Sequence, residues 1–306
     1  MAYKVSMYSF KGGAGRTVTT ANVARILSAE RRKRVTVMDL DVESAGLSVL
    51  FGIDQKVESG VTSTIQDVLR GFYAPETPGA LADTINLSTP GFPETWRRIH
   101  VVPEGFSGVA VVPSRRILSE SNEAGAERDP KRNFGHLLIG LDQLPDGPDF
   151  IRFDSASGIQ NTSLLALSNC DVLVVFFRWS RQFVRGTLQF LTWLTEFQKN
   201  NGLSRLSRII VVPTAVPLSA PRADAAVDVE ARRADLANRI HKCNVEARED
   251  DWIVLGPPIP EADAMKWDDC IIGHDTKVTE PELLAVVNAY RLLADMLVAE
   301  RERRRP

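Results

Sequence analysis

Between Phe10 and Val18 the chain reads Phe-Lys-Gly-Gly-Ala-Gly-Arg-Thr-Val. Three closely spaced glycines let backbone N–H groups close around an anion. A helix starting straight after them adds its own unpaired N–H groups and its dipole. Gly12, Gly13, Ala14, Gly15, Arg16, Thr17 and Val18 are therefore candidates for cradling phosphates, and the Thr17 hydroxyl is placed to bind Mg²⁺. The generic pattern G-x-x-x-x-G-K-[ST] is not met. Phe10 stands where its first glycine belongs, and Arg16 replaces the lysine. Arginine keeps the charge but is planar, larger and bidentate toward oxygens. Binding should survive this exchange. Hydrolysis should slow, because a small misplacement of reacting atoms is costly. Asp39, Asp41 and Asp154 stand at the ends of apolar runs. Carboxylates beside a polyphosphate make chemical sense only with a metal between them. Singly, aspartates of this kind end strands and cap helices; together, at the carboxyl ends of neighbouring strands, they mark where open α/β sheets bind ligands.

These residues need elements to position them. Short apolar runs at 3–10, 34–40, 99–105, 149–155, 171–177 and 208–214 read as strands, several Val/Ile-rich without clean alternation, as expected of strands covered on both faces. Helical patterns fall at 17–30, 64–70, 133–143, 161–168, 185–199, 224–243 and 280–301. The alternation predicts an α/β fold, a mostly parallel, doubly wound sheet with helices on both faces. No repeat or low-complexity linker divides the chain, so 1–306 reads as one domain, with 302–306 a flexible tail. Segments 74–93 and 119–132 read as surface excursions.

Composition narrows the function. The 37 Lys+Arg balance 39 Asp+Glu, giving no global push toward nucleic acid or a membrane surface. Three scattered cysteines argue against a disulfide framework and fit a reducing cytoplasm. No clustered Cys/His pattern suggests zinc, no signal peptide is evident, and no apolar run approaches the roughly 20 residues that span a bilayer.

The loop "KGGAGRT" resembles the variant phosphate loop of the MinD/ParA ATPases, K-G-G-x-G-K-[ST], with its early signature lysine at Lys11. Three further blocks match in order: "VTVMDLDVESAGLS" from Val35, "DFIRFDSASG" from Asp149, and "GPPIPEADAMKWDDC" from Gly256. The combination of "KGGxGRT" with "DxDxExxGL" looks like a subgroup in which arginine is normal. The resemblance covers nearly the whole chain and implies a P-loop fold that binds ATP with Mg²⁺. It implies that Thr17 binds the metal, that Asp154 holds it through water and that Asp39 supports its shell. It makes Asp41 the residue that positions the attacking water. Gly158 would let the following segment sense the γ-phosphate. It makes Lys11 a residue that crosses a dimer interface to the partner's nucleotide, acting in trans as an arginine finger does. Thr214, Pro260 and Glu261, with Asp263, would face the base, with ATP favoured over other nucleotides.

The expectation is a cytoplasmic ATPase that forms a homodimer around nucleotide and switches an unidentified protein partner, with slow hydrolysis because of Arg16. Its alternatives are a nucleotide-gated scaffold that barely hydrolyses and a ligase-type relative of the same superfamily. Balanced charge disfavours a nucleic-acid role, which would need a continuous basic stripe. The apolar stripe of the last helix reads as core packing rather than as a membrane anchor.

Overall fold

Runs of Val, Ile and Phe pair into one seven-stranded sheet whose strands are all parallel, in the order β5-β2-β6-β1-β7-β8-β9. The computed structural model describes residues 1–70, 72–73, 83–84, 92–115, 129–199, 203, 205–217, 223–247, 251–267, 270–274, 278 and 280–304. In chain order the elements are β1 (Tyr3–Ser9), α1 (Arg16–Ala29), β2 (Val35–Leu40), α2 (Gly46–Leu50), α3 (Asp54–Glu58) and α4 (Ile65–Arg70). Next come β3 (Phe72–Tyr73) and β4 (Asp83–Thr84), a separate antiparallel pair. They are followed by α5 (Phe92–Ile99), β5 (Val109–Val112), α6 (Pro130–Gln143), β6 (Phe150–Ser155), α7 (Asn161–Asn169), β7 (Val172–Arg178) and α8 (Arg181–Lys199). The chain closes with β8 (Arg208–Thr214), α9 (Ala223–Ala247), β9 (Ile253–Leu255), α10 (Ala264–Trp267) and α11 (Pro281–Arg303).

Successive strand residues point to opposite faces, and each face is covered. Val5, Val37, Val174, Phe176, Ile210 and Val212 pack on one side with residues of α1 and α11. Met38, Leu40, Phe153, Val175, Phe177 and Val211 pack on the other with residues of α4, α6, α7, α8 and α9. Double coverage buries both faces of the central strands, their few polar residues included. Parallel pairing brings the carboxyl ends of β1, β2 and β6 to one rim.

Two expectations are corrected. The run 99–105 is not a strand: Ile99 ends α5, Val101 makes only an isolated antiparallel bridge to Val111, and the edge strand is β5. Pro103 and Gly105 favour a turn there, and Phe106 accordingly donates its N–H to the Pro103 carbonyl. The short edge strand β9 carried no expectation, since three residues hold too little pattern. The chain end is not a free tail from 302. Helix α11 runs to Arg303, while Arg301 pairs with Asp149 and Arg304 with Asp171, both at 2.6 Å; residues 305–306 lie outside the described residues. The excursions 74–93 and 119–132 also fall largely outside them; 92–93 begin α5 and 130–132 begin α6, capped by Asp129.

Candidate nucleotide site

At the carboxyl end of β1 the chain turns over Gly12 and Gly13 and enters α1 at Gly15. Gly13 and Gly15 take left-handed backbone angles, φ 77° and 70°, which glycine adopts without steric cost. Gly15 caps α1 with no side-chain hydrogen bond, so N–H groups of the first turn stay open. They face a cavity of about 880 Å³, within the roughly 300–1,000 Å³ range of small-molecule sites. Gly12, Gly13, Ala14, Gly15, Arg16, Thr17 and Val18 line it, together with Asp41 from the end of β2 and Ser157 after β6. Thr214, Pro260 and Glu261 line it from the β8–β9 side. The sequence blocks that are far apart in the chain are thus brought to one rim.

The floor holds the charge. Arg16 does not extend over the cavity but folds back under the loop. Its Nε donates to Asp154 Oδ1 at 3.0 Å, its Nη2 to Asp41 Oδ2 at 2.5 Å, and its Nη1 to Ser9 Oγ at 3.3 Å. The Arg16 side chain is only 6% exposed. Burial alone would disfavour its charge, but the two carboxylates outweigh that and raise its pKa. Asp154 is fully buried. Burial raises its pKa, while Arg16 and the Thr17 hydroxyl favour its charged form. Thr20 Oγ1 also donates to Asp154 Oδ1, at 3.2 Å. Asp39 lies beside it, in register across the β2–β6 pair, with one oxygen accepting the Asp41 N–H at 3.1 Å. Burial first, and the neighbouring Asp154 second, push Asp39 well above the usual carboxylate range.

The donor set fits Mg²⁺ in kind. Asp154 Oδ2 and Asp39 Oδ2 are buried oxygens without a hydrogen-bond partner, and hard carboxylate and hydroxyl oxygens suit that ion. Asp39 and Asp154 sit beneath the cavity lining rather than in it. Lys11 is exposed at the loop tip and does not line the cavity either. The Thr214 hydroxyl, expected to face a base, donates instead to the Phe177 carbonyl at 3.2 Å. Asp263 is exposed and lies outside the lining.

Two arginines of the site escaped sequence reading. Arg178 lines the cavity and stands 3.8 Å from Glu261. Arg152 is wholly buried under α1. It donates to the Thr20 carbonyl at 2.8 Å and contacts Met7 Sδ at 3.2 Å, and burial lowers it to about 9. In "DFIRFDS" an arginine inside an otherwise apolar strand was the available signal.

The family model described as the CobQ/CobB/MinD/ParA nucleotide binding domain matches residues 5–265. An uncharacterized ATP-binding protein of Methanocaldococcus jannaschii is 29% identical over 175 residues, 57% of this chain and 52% of that protein. The chain thus matches about half the length of that curated relative. Among solved structures, an McdA variant of Cyanothece in complex with ATP matches at TM-score 0.64 and 15% identity, covering 97% of this chain and 96% of the other. Cobyrinic acid a,c-diamide synthase of Mycobacterium smegmatis, with ADP and magnesium bound, matches at TM-score 0.62 and 20% identity, covering 100% and 97%. At these identities the two structures show a shared fold.

Proposed function

Since the chain belongs to the CobQ/CobB/MinD/ParA nucleotide-binding family, we propose that it is a Mg-ATP-dependent switch that dimerises around nucleotide and hydrolyses it slowly. The observation that carries this reading is the open first turn of α1 facing a nucleotide-sized cavity, with Asp41 on its rim. The backbone N–H groups of residues 12–18 would hold the phosphates, and the α1 dipole would favour their charge. Arg16 would turn its guanidinium from the carboxylates to the phosphate oxygens. Thr17 and Asp154, supported by Asp39, would hold the ion. When bound, Mg²⁺ neutralises phosphate charge and orients the β- and γ-oxygens. Asp41 would orient the water for in-line attack, and Lys11 of a second copy would offset charge building on the phosphates. Exposure of Lys11 at the loop tip supports that assignment. Glu261, Pro260 and the Thr214 backbone would bound the base, with Arg178 at its edge.

The slow step follows from the same contacts. Asp41, the residue assigned to water, is ion-paired to Arg16 at 2.5 Å, so a productive site requires that pair to part. The same pair favours a second reading, a nucleotide-gated scaffold that does not turn over. The test is the mass in solution of the Asp41→Ala variant with ATP, ADP or neither, beside phosphate release by the unmodified chain. A dimer with ATP alone and slow, measurable release is expected. A monomer under all three conditions would sink the trans role of Lys11; dimerisation without release would leave the scaffold.

A further inference from the structure

We propose that Arg16 is an internal cation latch: in the nucleotide-free protein its guanidinium occupies Asp154, the carboxylate assigned to the divalent ion, and holds Asp41, the carboxylate assigned to the water, and it releases both only when phosphates draw it away. The second half rests on the nucleotide reading above; the first stands on the contacts of Arg16 with Asp41, Asp154 and Ser9.

Separate nitrogens of one guanidinium reach two carboxylates that follow or end different strands. Nε takes Asp154 at the end of β6, and Nη2 takes Asp41 beyond β2. Nη1 takes Ser9 at the end of β1, so the planar group is fixed on three sides. A compact ammonium has no rigid fork with which to bridge both carboxylates at once. Asp154 keeps one buried oxygen unpartnered, so the carboxylates are not saturated by the arginine. Removing the guanidinium leaves Asp41 and Asp154 uncompensated beside the buried Asp39, which penalises the fold unless another cation arrives. Arginine and divalent ion therefore compete for Asp154. The unmodified chain without nucleotide should bind such an ion poorly.

The nucleotide-free protein tests this with Mn²⁺ as a spectroscopic probe and Mg²⁺ in thermal unfolding. The unmodified chain should bind Mn²⁺ weakly, and Mg²⁺ alone should leave its Tm unchanged. Arg16→Gln should bind Mn²⁺ at least about tenfold more tightly, and its lowered Tm should recover with Mg²⁺. Arg16→Lys should fall between. If the unmodified chain binds Mn²⁺ as tightly as both variants, the latch is wrong. Should Arg16→Gln not fold even with Mg²⁺, the Arg16→Lys titration and the Arg16 Nε–H NMR signal of the unmodified chain decide. That signal, assigned by its loss in Arg16→Lys, should shift on adding Mg-ADP; binding of Mg-ADP without a shift overturns the proposal. If no nucleotide binds at all, the functional reading fails while the Mn²⁺ titration still judges the latch.

Discussion

Arg16, standing where the generic phosphate-loop pattern has lysine, decides what lies on the floor of the site. Lysine would bring one point charge; arginine brings a fork that closes on Asp41 and Asp154. The glycines beside it carry the opposite constraint, an absence of side chain. A Cβ on Gly15 would meet nothing within 4 Å, so its cost is the left-handed backbone alone. Gly15→Ala should therefore lower stability by about 1–2 kcal/mol in a urea titration. It should weaken binding of a fluorescent ATP analogue by a larger factor, because the turn that aims the N–H groups relaxes. Equal affinity in both proteins would mean that the loop does not cradle phosphate. Glycine spacing made this loop legible. The direction in which Arg16 points was not, since both a phosphate and a pair of aspartates satisfy the same side chain.

The helix that carries the loop is held from behind by another. Helix α1 packs on α11 through Val23, Leu27, Val286, Leu293 and Leu297, and is bracketed by the Arg31–Asp295 and Glu30–Arg291 pairs. Buried contacts outweigh exposed ion pairs at such an interface. Leu293→Ala should cost about 2–5 kcal/mol, and Arg291→Ala no more than about 1 kcal/mol, since the pair is partly solvated. Arg291, chiefly through its hydrogen bonds, lowers the pKa of Glu30 in the folded state. The sign is that of a depressed carboxylate: the contribution is full above the ordinary glutamate pKa of about 4.5 and is lost as pH falls through the folded value. Unfolding curves of Arg291→Ala and the unmodified chain should then differ at pH 7 and converge in acid. The long, strongly patterned elements were readable, with ends shifted by a few residues. α5 was not, because 99–105 offered an apolar run whose proline and glycine turned it into a loop.

At the scale of the whole molecule, the two apolar layers share one sheet, which argues for a single cooperative unit over the described residues. The three cysteines report on it. Cys170 and Cys243 lie in one layer and Cys270 in the other, all buried and unbridged. Burial pushes the Cys170 thiol up to about 12, so it is inert in the native state. All three should become reactive to a thiol reagent in one urea transition; two separated transitions would divide 1–306 into independently stable parts. Among the described residues no helix is long and apolar enough to cross a membrane. By itself the sequence determined the parallel α/β architecture, the phosphate-type loop and the order of its supporting blocks, because these follow from local periodicity, glycine conformation and residue order. Only the tertiary structure decided the rest. Asp39 and Asp154 became neighbours through strand register, Arg152 went under α1, Arg178 came to the cavity wall and the terminal arginines were tied to Asp149 and Asp171. Each is a contact between residues distant in sequence, and a charged side chain's partner is fixed by which carboxylates the fold sets within its reach.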